Sequence, residues 1–229
     1  MLIKMNKIQK VLLMMAGCMV LLSSCLVNIG LNKIKPSENV VERAYPQSAF
    51  DKIAIGVTGQ VRFVQSEDAN CRVVLKAPDN YLDLFKLEVT DGKLKVGFKE
   101  RNTEIETKDV MITIYAPELS ELENTGVADV EAASLQAEEL TLVNSGVGHI
   151  KTDGEAVRVK LVCSGVGDID AAGLKARTVT GSVSGVGGVS CYASDSLVAN
   201  VSGVGSLTYA GNPTYKKENC SGVGAIQPK

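Results

Sequence analysis

From Phe50 onward the chain alternates between apolar and polar positions with a period of two. Ile53, Ile55 and Val57, then Val61 and Phe63, then Val73 and Leu75 fall at this spacing, which predicts half-buried strands. Leu87 and Val89 lead into Asp91-Gly92, and Leu94, Val96 and Phe98 follow. Asp-Gly between two alternating runs is a strong hairpin signal. A further run, Val110, Ile112 and Ile114, ends at Ala116-Pro117, because proline has no N–H to give to a strand ladder.

Beyond Pro117 the alternation is organised into a repeat. A Ser-Gly-Val-Gly motif followed by one variable residue and one aliphatic residue begins at Thr125, Ser145, Ser164, Ser184, Ser202 and Ser221. Its first glycines, Gly126, Gly146, Gly165, Gly185, Gly203 and Gly222, are separated by 20, 19, 20, 18 and 19 residues. Each unit holds an alternating stretch such as Leu140-Thr141-Leu142-Val143, the glycine corner, a short second stretch such as His149-Ile150-Lys151, and a polar turn such as Asp153-Gly154. One unit of this size cannot bury its own apolar face; stacking successive units about 4.8 Å apart gives them a continuous core. The predicted fold is therefore all-β: a right-handed parallel β-helix, or β-solenoid, with coils of about 19 residues and a less regular N-terminal β portion. Antiparallel hairpins in a sandwich or propeller are the alternative. The calcium-binding nonapeptide roll fits less well, since only Asp129 and Asp168 follow the corner, and that motif needs a recurring aspartate.

The glycines are expected where a side chain would obstruct a sharp corner; Ala128 alone replaces a second glycine, in the terminal unit. The preceding hydroxyls should form a ladder rather than a set of nucleophiles. Asn124, Asn144, Cys163, Val183, Val201 and Cys220 stand two positions before the next motif glycine and are expected to point inward, with the two asparagines stacked as an amide pair.

The first 24 residues carry Lys4, Lys7 and Lys10, then an apolar stretch from Val11 to Leu22, then Ser23 and Ser24. About a dozen apolar residues are too few to span a bilayer, so the segment reads as a cleaved export signal. Leu22-Ser23-Ser24-Cys25 resembles the bacterial lipobox, which implies acylation of Cys25; an ordinary signal peptide leaving a free thiol is the alternative. Residues 25–44 are expected to be a lipidated N-terminus and mobile tether, and residues 45–229 one solenoid domain, with irregular strands over 45–117 and the six repeats over 118–229. The mature chain would carry 21 basic and 26 acidic residues, which argues against nucleic acid and against polybasic attraction to anionic lipid. Export permits disulfides, but Cys163 and Cys220 lie three coils apart, about 14 Å, beyond bridging distance. Cys71, Cys163, Cys191 and Cys220 are therefore expected as buried free thiols.

Phe50-Asp51-Lys52-Ile53, Gly92-Lys93-Leu94-Lys95-Val96, Ile114-Tyr115-Ala116-Pro117-Glu118-Leu119 and the recurring Ser-Gly-Val-Gly together resemble the auto-transporter adhesin head domain, or GIN domain, of Gram-negative lipoproteins and exported proteins. The resemblance runs from about Ala44 to Ile226. It implies a β-helical fold, a cell-envelope location, here lipid-anchored and at the outer membrane, and an adhesive role. It brings no catalytic residues. The sequence shows no outer-membrane barrel after the last motif, so a lipid anchor is expected in its place.

The residue after the second glycine makes a row of its own: Asp129, His149, Asp168, Gly188, Ser206 and Ala225. The next residue is always aliphatic and inward, so this row should face outward, with Asp129, His149 and Asp168 on three consecutive coils. Such a trio either relieves charge repulsion on a solvated face or holds a metal ion; the first reading is preferred, and no cofactor or metal is expected. Tyr192 and Tyr209 fall at similar offsets in neighbouring repeats and are candidates for stacking on a glycan ring, cross-strand packing being the ordinary alternative. The expected function is non-catalytic binding of a glycan, peptide or protein. A purely architectural role and a polysaccharide-acting β-helix enzyme are the rivals, the latter disfavoured by the absence of Trp and of a carboxylate cluster outside the row. The open final coil, followed only by Gln227, Pro228 and Lys229, should be covered by homodimerisation or by N-terminal strands folding back. Metabolic labelling with a palmitate analogue tests the anchor: the expected result is labelling of the wild type and none of Cys25→Ser, and an unlabelled, soluble wild type contradicts it.

Overall fold

The computed structural model describes residues 32–229 apart from Ala69. The chain divides into Met1–Asn32 and a compact unit, Lys33–Lys229, that holds the fold. The expected export signal and the expected acylation site, Cys25, lie outside the described residues. Among those residues no helix is long and apolar enough to cross a membrane.

The unit is a β-solenoid. Strands Val127–Asn144, Ile150–Cys163, Ile169–Val183 and Val186–Val201 pair in parallel, each with the next. Val204–Ala210 and Val223–Pro228 continue one face, and Tyr215–Cys220 continues another. Parallel register excludes hairpins within the repeats and turns rows of the sequence alignment into columns in space. Val130, Ile150, Ile169, Val189, Leu207 and Ile226 form one such column, and Leu140, Val159, Val179 and Leu197 another. All but Ile226 are buried. The long strands shift register between Ala132 and Leu135 and between Lys151 and Asp153. Each coil thus has three pairing faces: one after the glycine corner, a short middle one such as Leu135–Ala137, and one before the next corner. The polar turn of the sequence reading is this middle face.

The corner explains the motif. Gly165 donates its N–H to Asn144 O, and a Cβ built on Gly165 would overlap the carbonyl oxygen of Gly146 in the preceding coil. Backbone meets backbone here with no room for a methyl group. At the second glycine the constraint doubles, because Gly167 has φ +131° and its Cβ would strike the Gly148 carbonyl. The valine between them faces solvent: Val127, Val147, Val166, Val186, Val204 and Val223 are all exposed.

The column before the corner is inward, as expected, but its chemistry goes beyond an amide ladder. Asn124 and Asn144 are fully buried, and Asn124 Nδ2 donates to Asn144 Oδ1 at 3.1 Å. Asn144 Nδ2 also donates to Gly148 O at 2.8 Å, and the Cys163 thiol donates to Gly167 O at 3.1 Å. A donor at this position therefore ties down the corner carbonyl four residues later. Cys71, Cys163 and Cys191 are buried free thiols; burial pushes the Cys191 thiol up to about 12, which leaves it protonated and unreactive. Cys220 departs from the expectation. It is exposed, because among the described residues no strand pairs with Tyr215–Cys220 on the side away from Val186–Val201.

Two features of the N-terminal part also depart from the sequence reading. Residues expected in a tether are strands: Val40–Pro46 pairs antiparallel with Arg72–Pro78, and Asn32–Ile34 pairs with Thr103–Ile105. The buried Tyr81 fixes this entry by donating to Ile34 O at 2.8 Å while accepting the Glu106 N–H at 3.3 Å. The second departure is that the coils extend upstream out of chain order. Lys52–Ile55 and Thr58–Gln65 pair in parallel with Glu121–Asn124 and Val127–Asn144 on one side. On the other side they pair with Lys93–Phe98 and Met111–Ala116. The coil formed first in the sequence thus lies between the coil of residues 93–116 and the first repeat. All of this shares one apolar core from Phe50 to Tyr209. The N-terminal strands lie at this end of the stack and do not fold back over the last coil.

The corner packing predicts a graded response to substitution. Gly165→Val should cost about 3 kcal/mol or more by forcing two coils apart, whereas Gly97→Ala, with nothing within 4 Å of its added carbon, should be near neutral. Thermal denaturation followed by circular dichroism measures both, and equal stability of the two variants would contradict the packing argument.

Candidate functional site

The outward row assembles as its spacing requires. His149 Nδ1 lies 3.0 Å from Asp129 Oδ1, and its Nε2 lies 3.4 Å from Asp168 Oδ2. Both aspartates also serve the backbone. The His149 N–H donates to Asp129 Oδ1 at 3.1 Å, and the Gly188 N–H donates to Asp168 Oδ1 at 2.7 Å. The side chain one coil back thus satisfies an N–H that points out of the ladder at the corner, a local use of Asp typical of its hydrogen-bonding habit. All three side chains remain more than half exposed.

The two ring nitrogens point away from each other, each toward a different carboxylate. Among the described residues no group of three His, Cys, Asp or Glu side chains is arranged to hold a metal ion.

The tyrosines do not form a platform. Tyr209 registers with Cys191, and Tyr192 with Ala210. Tyr209 is buried and points inward, whereas Tyr192 points outward with Lys175 Nζ over its ring at 4.0 Å. The cause is one residue. Tyr192 lies seven positions after Gly185 and Tyr209 six after Gly203, and a one-residue offset in a strand reverses the face.

The sequence reading missed the walls of the site. Asp129 and His149 line two adjoining clefts. One, of about 350 Å³, is lined by Gln60, Val61, Arg62, Met111, Val130, Glu131 and Lys151 as well. The other, of about 430 Å³, adds Thr58, Gly59, Thr107, Lys108, Val127, Ala128, Val147 and Gly148. Gln60, Asp129 and His149 belong to both and form the ridge between them. The clefts exist because Thr58–Gln65 is inserted beside the first repeat, while Thr107 and Lys108 overhang it just before Met111–Ala116. Arg62 and Glu131 pair across coils at 3.3 Å. The signal available in the sequence was Gly56-Val57-Thr58-Gly59-Gln60-Val61, an imperfect copy of the corner that puts Gln60 in the Asp129 row.

The chain matches the family described as "Putative auto-transporter adhesin, head GIN domain" over residues 49–213, and it belongs to that family. Among solved structures it is similar to a putative adhesin from Bacteroides fragilis NCTC 9343, at 32% identity and a TM-score of 0.73, covering 86% of this chain and 100% of that one. A putative adhesin from Parabacteroides distasonis ATCC 8503, at 18% identity and a TM-score of 0.53 over 86% and 100% of the two chains, shares the fold. No curated protein matches the chain. The family agrees with a protein of the cell envelope or surface.

Because the His149 contacts are polar contacts between side chains more than half exposed, they should contribute little to stability. His149→Ala is expected to change the unfolding free energy by less than about 1 kcal/mol in urea denaturation. A larger loss would show that the row is a structural clasp.

Proposed function

We propose that this protein is an acylated envelope lipoprotein whose solenoid is a non-catalytic binding module, and that the paired clefts around Asp129 and His149 take a polar, extended ligand, a glycan or a peptide strand. The observation that carries this reading is the convergence of both charge signs and a primary amide in one groove. Gln60, Arg62, Lys108, Asp129, His149 and Lys151 all line it, whereas the outward positions farther along the same face, Gly188, Ser206 and Ala225, carry no charge. Fixed donors and acceptors over a partly apolar floor, here Met111 and Val147, are what orient a polar ligand. Asp129 and His149 are held by the contacts described above, which lowers the ordering cost of binding.

A binding role rather than catalysis is supported by the surroundings of His149. Its ring contacts are carboxylates, and no hydroxyl or thiol among the described residues hydrogen-bonds to it, so the arrangement lacks a nucleophile beside a base.

Glycan and peptide arrays probed with residues 26–229 test the reading. A hit is expected to lose at least about tenfold in affinity in Arg62→Ala/Lys151→Ala, a loss of about 1.4 kcal/mol, with the thermal midpoint unchanged. Binding unaffected by that double variant would place the site elsewhere and overturn the proposal.

A further inference from the structure

The far end of the stack supports a conclusion separate from the groove. The last strand of one face, Tyr215–Cys220, pairs among the described residues only with Val186–Val201 and is exposed along its whole length. Its register sets Lys216 against Leu197, Glu218 against Ala199 and Cys220 against Val201. Leu197, Ala199 and Val201 are all buried, so Lys216 and Glu218 occupy positions that the preceding coil fills with core residues. Lys216 Nζ lies 5.8 Å from the centre of the buried Tyr209 ring, as expected of a chain laid over the end of the core. The Cys220 thiol faces the Gly224 carbonyl at 3.6 Å, repeating the inward contact of Cys163. Neither Lys216 nor Glu218 has an ion-pair partner among the described residues.

An inward charge at a sheet edge ordinarily repels other strands. Here the two charges are opposite in sign and two residues apart, which makes the edge complementary to itself in one register. We propose that the Tyr215–Cys220 edge is a docking surface for a second copy of this chain, with the two strands antiparallel about a two-fold axis at Lys217. A two-fold perpendicular to a sheet sets residue i against the residue equidistant on the far side of the axis, and both then project to the same face. Centred on Lys217, it places Lys216 of each copy directly opposite Glu218 of the other, twice. Centred on Glu218, it opposes two glutamates; centred on Lys216, it opposes two lysines. Like charges directly opposite destabilise a strand pair and unlike charges stabilise it, so the charge pattern selects the register. Lys217 meets its own copy on the solvent side, where a long side chain can splay into water. The surface is one coil in cross-section and small beside the roughly 1,200 Å² of a stable interface, so the dimer is weak and salt-sensitive.

Sedimentation velocity of residues 26–229, which contain every core residue described here, tests the proposal over a concentration series at low and high salt. The expected wild-type behaviour is a rise of the average mass toward twice the monomer at low salt, reversed by added salt. Lys216→Glu and Glu218→Lys alone should each weaken association by at least about tenfold, by opposing like charges. The double variant Lys216→Glu/Glu218→Lys should restore it to within about threefold of wild type. These residues are exposed, and unchanged circular dichroism verifies that the variants fold. A wild type that stays monomeric at every concentration would show the charges to be a guard against edge pairing and overturn the proposal. So would association indifferent to single reversal, or a double variant no better than either single one. None of these failures touches the groove, which lies several coils away.

Discussion

The whole structure depends on parallel backbone pairing between successive coils at the glycine corner. Elsewhere in a coil, side chains separate neighbouring turns of chain from their surroundings and some variation is tolerated: Leu161, Gly181 and Ala199 occupy one inward column. The site of a Cβ on Gly181 is instead filled by Leu207, whose Cδ1 would stand 2.5 Å from it, so volume is traded between columns. At the corner no such trade exists, because the atom that a side chain would displace is the carbonyl oxygen of the coil before. Register is therefore held at every corner, and Gly154 and Gly211 add the same backbone-on-backbone contact outside it. With register fixed, the alternation of the strands decides which residues are core and which are surface.

The same constraint makes function a matter of rows. A residue placed once in the Asp129 position is on a solvent-facing line with its counterparts at every coil, about 4.8 Å apart. The protein uses this line unevenly. Its N-terminal part carries Gln60, Asp129, His149 and Asp168, and its C-terminal part Gly188, Ser206 and Ala225. The scaffold is periodic and the chemistry is not. That contrast marks out the groove more clearly than any single residue in it.

Much of the fold was legible because the repeat is local. The six motifs predicted parallel coils, an inward Asn124–Asn144 pair and an outward Asp129–His149–Asp168 trio, and the structure has all three. What the sequence hid was nonlocal. The insertion of Lys52–Gln65 between residues 93–116 and the first repeat leaves no mark on periodicity, since strand patterns record which face is buried but not which strand is the neighbour. The groove walls were lost with it. The tyrosine pair failed for a different reason: an 18-residue interval shifts one offset by a single position, and alternation turns that into opposite faces. Cys220 was misplaced because a column rule assumes a following coil.

The out-of-order coil is the claim on which the groove rests, and backbone amide NOEs test it directly. Val61 registers with both Val130 and Ile112, so the account predicts cross-peaks from residue 61 to the neighbourhoods of both, and none between residues 112 and 130. Cross-peaks joining Ile112 directly to Val130, with Val61 elsewhere, would mean that the coils follow chain order and would contradict the account.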